Sequence, residues 1–403
     1  MTDADVIVVG AGIVGLASAL KLVERNPRLQ IEVIDKEQAI AAHQTGHNSG
    51  VIHRGVYYAP GSLKARLCAE GAGELTRYCD ERGVPYRLGG KLIVALTPAE
   101  LPALDRLYER ACANGVPGVE RVGPERIREV EPHAAGLGGV HSPQTGTVDY
   151  AAVADAMAGD LRERGIRIRL GTELRRVHRA QGGLVLETTG GDLRTGHLVA
   201  CAGLQADRVA RLFGQPAPGG LRIVPFRGDY YVLRPDRAGL CRSMIYPVPD
   251  PRFPFLGVHF TRRIDGAVWA GPNAVLAFAR EGYRRRDVRP RDLAETLFGG
   301  GFGRLALRYW ITGAGEMWRD LSRRAFARSL RRYVPELGDD DLVPGPSGVR
   351  AQALAADGTL VDDFVITAGP RAVHVWNAPS PAATSALAIG RVVAERAEAA
   401  FGL

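Results

Sequence analysis

At 403 residues, 46% of them hydrophobic and 24% charged, the chain has an ordinary globular make-up and is too long for one core, so two interleaved domains are expected. No apolar run approaches the roughly 20 residues of a membrane-spanning helix, and the apolar start Val6–Leu20 is broken by glycines and lacks a basic leader, which argues against a signal peptide. The net charge of +8 is nearly all arginine (the lysines are Lys21, Lys36, Lys64 and Lys91) and reads first as a codon bias, with an anionic substrate or an anionic membrane surface as functional alternatives; dispersed arginines without a reading motif argue against nucleic acid.

The chain opens on Val-Ile-Val-Val-Gly-Ala-Gly-Ile-Val-Gly (Val6–Gly15), an Ala/Leu-rich helical run, and Ile-Glu-Val-Ile-Asp ending at Asp35. A buried strand turning through glycines into a helix is a dinucleotide cradle. Gly10 makes the tight turn, Gly12 admits a pyrophosphate and Gly15 lets the helix pack on the strand, with helix amides facing the phosphates. Asp35, followed by Lys36, sits about 20 residues past the last glycine, where a carboxylate can accept from a ribose. A loop rich in His, Asn, Ser and Gly follows (Lys36–Tyr58), then a helix over Ser62–Arg82, strand character over Val84–Leu96 and a charged helical stretch over Pro98–Val130.

A helix is expected over Val148–Arg164, a strand at Arg167–Leu170 and short strands around Gly182-Gly183 and Gly190-Gly191. A buried strand His197–Cys201 then runs into Ala202-Gly203. Ile223–Leu233 and Met244–Trp269 read as an antiparallel sheet roofing a site. Asp287–Tyr333 reads as an amphipathic helical pair packed on that sheet, although a basic, aromatic helix also suits a membrane interface. Strand returns over Gly345–Asp363 and a closing helix is expected over Ser380–Ala399. Cys68, Cys79, Cys112, Cys201 and Cys241 form no C-x-x-C pair, which suits reduced thiols in a cytosol. The expected location is therefore cytoplasmic, with peripheral contact to the inner membrane as the variant.

Several of these stretches together resemble a known family. The opening fingerprint and the late closure are similar to the D-amino-acid oxidase (glycine oxidase-like) flavoprotein superfamily. Within it, Thr45–Tyr58, Phe226–Tyr231, Tyr246–Thr261, Gly348–Leu354 and Asn377–Ser385 resemble L-2-hydroxyglutarate oxidases/dehydrogenases. The resemblance implies an α/β fold, a Rossmann-type FAD-binding domain (1–85, 145–220, 345–403) interleaved with an α+β, antiparallel-sheet substrate domain (86–144, 221–344). It also implies FAD, oxidation of the dicarboxylate L-2-hydroxyglutarate to 2-oxoglutarate by hydride transfer from Cα to flavin N5, and electrons passed to a quinone chain or to oxygen.

Such a reaction needs a base for the hydroxyl proton, and histidine titrates near working pH. His53 and His259 are the two candidates, and the choice between them is open. Two carboxylates need two clamps, a task suited to arginine's planar fork. Arg350 matches the superfamily's carboxylate-binding position, while Arg227, Tyr231, Tyr246 and Arg54 are candidates for the distal end. Thr45, His47, Asn48 and Ser49 are expected at the pyrophosphate or flavin edge, Val177 at adenine through its backbone, and Ala202-Gly203 near the ribityl-pyrophosphate. Asn377, Pro379, Ser380 and Ala382 are expected around the closing helix start, aimed at the flavin. His43, His133, His141, His178 and His197 read as structural or surface. The rival readings are a glycine/sarcosine-type flavin amine oxidase, a flavin-binding assembly protein without turnover, and an NAD-dependent dehydrogenase.

Overall fold

The computed structural model describes residues 3–250 and 256–403, so residues 251–255 of the Tyr246–Thr261 stretch lie outside the described residues. The opening run folds as strand Ala4–Val9, helix Ile13–Arg25 and strand Ile31–Ile34, with both strands almost wholly buried. Near-continuous Val/Ile runs are what a parallel strand covered on both faces requires. Gly10 adopts φ +113°, a conformation that side chains disfavour, and a Cβ at Gly15 would collide with the Gly10 carbonyl.

These strands sit in an eight-stranded sheet. Its parallel heart runs from Arg167–Arg169 through Ile31–Ile34, Ala4–Val9 and Gly191–Ala200 to Ala372–Asn377. Gly191–Ala200 is one ten-residue strand, pairing first with an antiparallel hairpin and then with Ala372–Asn377. The closing helix packs on the opening helix over the same apolar cluster.

A second, nine-stranded sheet is mostly antiparallel, with one parallel pair, Met244–Pro247 beside Lys91–Ala95. Its longest ladder joins Arg222–Leu233 to Leu342–Leu354. The boundary expected at 345 thus falls inside a strand that pairs with this sheet. A small three-stranded sheet of Val51–Ile52, Gly146–Val148 and Tyr86–Leu88 lies outside both.

Helix Leu63–Arg82 begins where expected, because the Ser62 hydroxyl accepts from the Ala65 amide and caps it. Three other expectations need correction. Pro98–Val130 is not continuously helical: strand Glu120–Val122 separates Leu101–Ala113 from Pro124–Val130, after left-handed turns at Gly115 and Gly118. The closing helix runs Ala386–Phe401, not from Ser380, because the residue before a proline avoids the helical region and Pro381 holds the preceding segment in turns. In the basic, aromatic segment, helix Arg323–Arg331 packs inward through Phe326, Ala327 and Leu330 as expected. Helix Phe302–Leu321 packs more thinly, through Leu305 with partly buried Phe302 and Tyr309, and leaves most of its other apolar side chains exposed.

Candidate active site

A cavity of about 1090 Å³ opens along the carboxyl ends of the parallel strands, the usual place for a ligand in such a sheet. Gly10, Gly12, Asp35, Lys36, Thr45, Ala202, Gly203, Asn377 and Ala382 line it, as the sequence suggested. The opening helix presents its first turn here with no acidic residue in it, so its positive end is available to an anion. Thr45 Oγ1 accepts from the Ile13 amide at 3.0 Å, which leaves the hydroxyl's own proton to donate. The Asp35 carboxylate accepts from the amides of Ala11 (2.7 Å) and Glu37 (2.9 Å), fixing it at the cavity wall. Asn377 donates to the Val361 and Asp363 carbonyls, while its buried Oδ1 has no partner among the described residues. Helix amides, a hydroxyl donor, a placed carboxylate and an orphaned acceptor on a cavity of this volume fit FAD.

Several cofactor candidates are placed otherwise. His47 bonds the Ser347 carbonyl at 3.0 Å and stacks on Tyr283, and Asn48 spends its amide on the carbonyls of Gln44 and Thr45. They brace the loop, Ser49 is off the cavity, and the wall is formed instead by Ala42–Thr45. Val177, expected to meet adenine through its backbone, is not part of the cavity wall, which Thr172–Arg175 supply; its side chain packs on an apolar cluster. Pro379 and Ser380 lie off the cavity, while Ala378 and Ala383 line it with Ala382. His43 is not merely structural: it lines the cavity, bonding Tyr283 at 2.9 Å and facing Glu37 and Glu281, which Lys36 also pairs.

The reactive groups gather on the second sheet. His259, buried on strand His259–Arg262, bonds the Gly257 carbonyl through Nδ1 at 2.9 Å. A neutral ring so bonded carries its proton on Nδ1, leaving the Nε2 lone pair as the acceptor. Tyr246 stacks on this ring at 3.8 Å, its hydroxyl 3.3 Å from Thr261 Oγ1. Burial, reinforced by the charges of Arg350 and Lys91 and opposed by the Gly257 carbonyl, holds the His259 pKa down at about 3. His53 is likewise held neutral, by burial first and then by Lys91 and His259; its amide bonds Thr384 and its Nε2 lies 3.4 Å from the Ser380 hydroxyl. Arg350 is half-buried, its pKa lowered by burial against the opposing influence of Tyr230, Glu316 and Tyr246.

Strand geometry decides which residues join this group. Phe226 and Arg350 are directly opposed in the ladder, so their side chains share a face, and Arg227 and Tyr231 point to the other. Arg227 is accordingly locked to Asp229 (3.0 Å) and Asp320 (3.2 Å), and Tyr231 packs on Phe326 in the core. Neither is placed to clamp a substrate. Arg54 is turned away as well, onto the Gln144 carbonyl at 2.9 Å. Tyr230, one residue away in parity, falls within the electrostatic reach of Arg350 and Tyr246. Lys91 joins too: it is 1% exposed, and its ammonium lies 4.7 Å from the Tyr57 ring and 4.8 Å from that of Tyr246. The sequence signal for Lys91 was a lone lysine heading the apolar run Lys-Leu-Ile-Val-Ala in an arginine-rich chain.

A family model described as FAD dependent oxidoreductase matches residues 5–396. L-2-hydroxyglutarate dehydrogenase of Indibacter alkaliphilus is 47% identical over 393 residues, covering 98% of each chain. The mitochondrial L-2-hydroxyglutarate dehydrogenase of Homo sapiens is 46% identical over 417 residues, covering 99% of this chain and 89% of that one. Among solved structures, the dithionite-reduced, FAD-bound L-alpha-glycerophosphate oxidase of Mycoplasma pneumoniae superposes with a TM-score of 0.79 at 22% identity, covering 98% of this chain and 94% of that one. Glycine oxidase of Geobacillus kaustophilus gives 0.73 at 18%, covering 98% and 95%. At these identities the two structures speak for the fold.

Proposed function

Because the chain belongs to the FAD dependent oxidoreductase family, we propose that it oxidises L-2-hydroxyglutarate to 2-oxoglutarate with FAD as its cofactor. The observation that carries the reading is His259: a neutral imidazole with Nδ1 engaged and Nε2 left as acceptor, close enough to Arg350 to feel its charge. FAD, when bound, supplies the hydride acceptor for the substrate's Cα hydrogen. The protein's part is positional and electrostatic. Arg350 takes the carboxylate next to the reacting carbon, Tyr230 and Tyr246 wall the site, and His259 Nε2 receives the hydroxyl proton. His53 bonds through its backbone to Thr384 and stays neutral.

The holoenzyme's flavin absorbance is expected to bleach anaerobically with L-2-hydroxyglutarate and to stay unchanged with the D-enantiomer and with glycine. Bleaching by an amino acid and not by L-2-hydroxyglutarate would replace this reading with the amine oxidase one. We propose a quinone as the reoxidant in preference to oxygen, with peripheral contact at an anionic membrane surface. Reoxidation by a soluble quinone no faster than by air would remove the quinone. Supporting the membrane contact, helix Phe302–Leu321 exposes Leu307, Trp310, Ile311, Trp318 and Leu321 to solvent, flanked by exposed Arg304, Arg308, Arg323 and Arg324. No described helix is long and apolar enough to cross a membrane.

A further inference from the structure

The cluster contains a cation that the steps above do not use. Lys91 heads the strand Lys91–Ala95, every residue of which is buried. Its Nζ has no hydrogen-bond partner among the described residues, and neither does the buried hydroxyl of Tyr57, whose ring it faces. An ammonium brings three donors and accepts nothing, and burying one without an acceptor is costly. Two tyrosine faces at 4.7 and 4.8 Å attract it, but a ring face replaces only part of the lost hydration. The arrangement is one that an incoming anion completes. Burial has already lowered the Lys91 pKa to about 7, with Cys68 opposing, so the site holds a lysine that an anion would recharge.

The position also suits a particular anion. His259 feels the positive charge of both Arg350 and Lys91, and the Tyr246 ring that stacks on His259 also lies under the Lys91 ammonium. The proton acceptor therefore feels two cations, carried on different strands. A 2-hydroxy acid whose first carboxylate is held by Arg350 has its reacting carbon one bond from that carboxylate, and only a substrate with a second carboxylate further along can also satisfy Lys91. The strands that could supply a planar guanidinium there do not, since Arg227 is tied to Asp229 and Asp320. A compact ammonium between two rings accepts a carboxylate without demanding a bidentate fork.

We propose that Lys91 binds the remote carboxylate of the substrate, with the Tyr57 hydroxyl as its companion donor, and so sets the preference for dicarboxylic over monocarboxylic 2-hydroxy acids. The assignment rests on the dicarboxylate reading above. Its test compares L-2-hydroxyglutarate with L-2-hydroxyvalerate, which keeps the chain and lacks the second carboxylate. In the Lys91→Met holoenzyme, KM for L-2-hydroxyglutarate is expected to rise about 10- to 150-fold, the range of a lost charge-assisted hydrogen bond. Flavin reduction by L-2-hydroxyvalerate is expected to change far less than reduction by L-2-hydroxyglutarate. Equal loss with both compounds would mark Lys91 as structural, and unchanged discrimination would remove it from the site; either result overturns the proposal.

Should Lys91→Met fail to retain FAD, the wild-type holoenzyme decides the matter. Calorimetric titration at pH 8 in buffers of different ionisation enthalpy is expected to show proton uptake with glutarate beyond that with valerate. The titratable groups around Lys91 are Tyr57, Tyr246, His53, His259 and Cys68, and the difference between the two ligands isolates the remote carboxylate. Equal uptake overturns the proposal. A wild-type enzyme that L-2-hydroxyglutarate does not bleach would instead sink the functional reading itself, before Lys91 is in question.

Discussion

His259 works with a proton affinity far below that of a free imidazole, about 3 instead of the usual 6.5. The depressed value has a direction in both activity and stability. In the free enzyme the ring stays an acceptor down to low pH, so the acid limb of kcat/KM is expected well below 6.5. Bound carboxylates offset Arg350 and Lys91, so the limb of kcat should lie at higher pH than that of kcat/KM. For stability, the unfolded ring binds a proton below its ordinary value and the folded ring does not. The contribution is therefore complete above about 6.5 and is lost as pH falls toward the folded value. Replacing His259 by Gln should slow flavin reduction by about 10²- to 10⁴-fold, with little change in substrate Kd. It should also flatten the loss of thermal stability between pH 7 and 5. Rapid reduction kinetics and a pH series of melting temperatures measure both, and a variant that reduces its flavin at the wild-type rate would pass the base to His53.

The opening strand–helix unit behaves as a single device, and its tolerance is set by Gly15. A Cβ there would meet the Gly10 carbonyl and lie 3.4 Å from the Cys201 Cβ, so the helix must lift off the strand to accept it. Gly15→Ala is expected to lose FAD on gel filtration while keeping its far-UV circular dichroism; a fully yellow, stable variant would show that the approach is slack. This element was legible because local rules alone dictate it: a buried β-branched run, a turn that needs positive φ, an Ala/Leu helix, and an acid at a set distance. The second sheet was legible only as strands. Which of Tyr230 and Tyr231 faces the site depends on the partner strand Leu342–Leu354 and on a register shift between Asp229 and Tyr231, neither of which is a local property. The same parity removed Arg227, whose partner Asp320 lies 93 residues further along the chain. Asn48 failed for another reason: a short polar side chain in a loop bonds nearby backbone as readily as a ligand, whereas His47 is engaged by the Ser347 carbonyl, 300 residues further along the chain.

Across the molecule as a whole, the excess of arginine and the apolar helix Phe302–Leu321 meet on one surface. An isolated exposed leucine needs no explanation, but this helix leaves Leu307 at 80%, Ile311 at 69% and Leu321 at 68% exposure, with Phe298 just before it also solvent-exposed. The chain departs from helical geometry at Tyr309, so the apolar residues before and after it need not form one straight stripe. Such a surface, with Arg304, Arg308, Arg323 and Arg324 exposed on and just after the helix, suits a bilayer interface: apolar side chains enter the acyl boundary while the guanidiniums meet anionic headgroups. Two of the four tryptophans, Trp310 and Trp318, are on it and serve as reporters. The holoenzyme is expected to co-sediment with phosphatidylglycerol-containing vesicles, with a blue-shifted tryptophan emission, and to bind neutral phosphatidylcholine vesicles less and high-salt suspensions least. The triple variant Trp310→Glu, Ile311→Glu, Trp318→Glu, at three solvent-exposed positions, should lose vesicle binding. It should still be bleached by L-2-hydroxyglutarate at the wild-type rate. Binding that survives the three glutamates, or that ignores lipid charge and salt, would assign this face to something other than an anionic membrane.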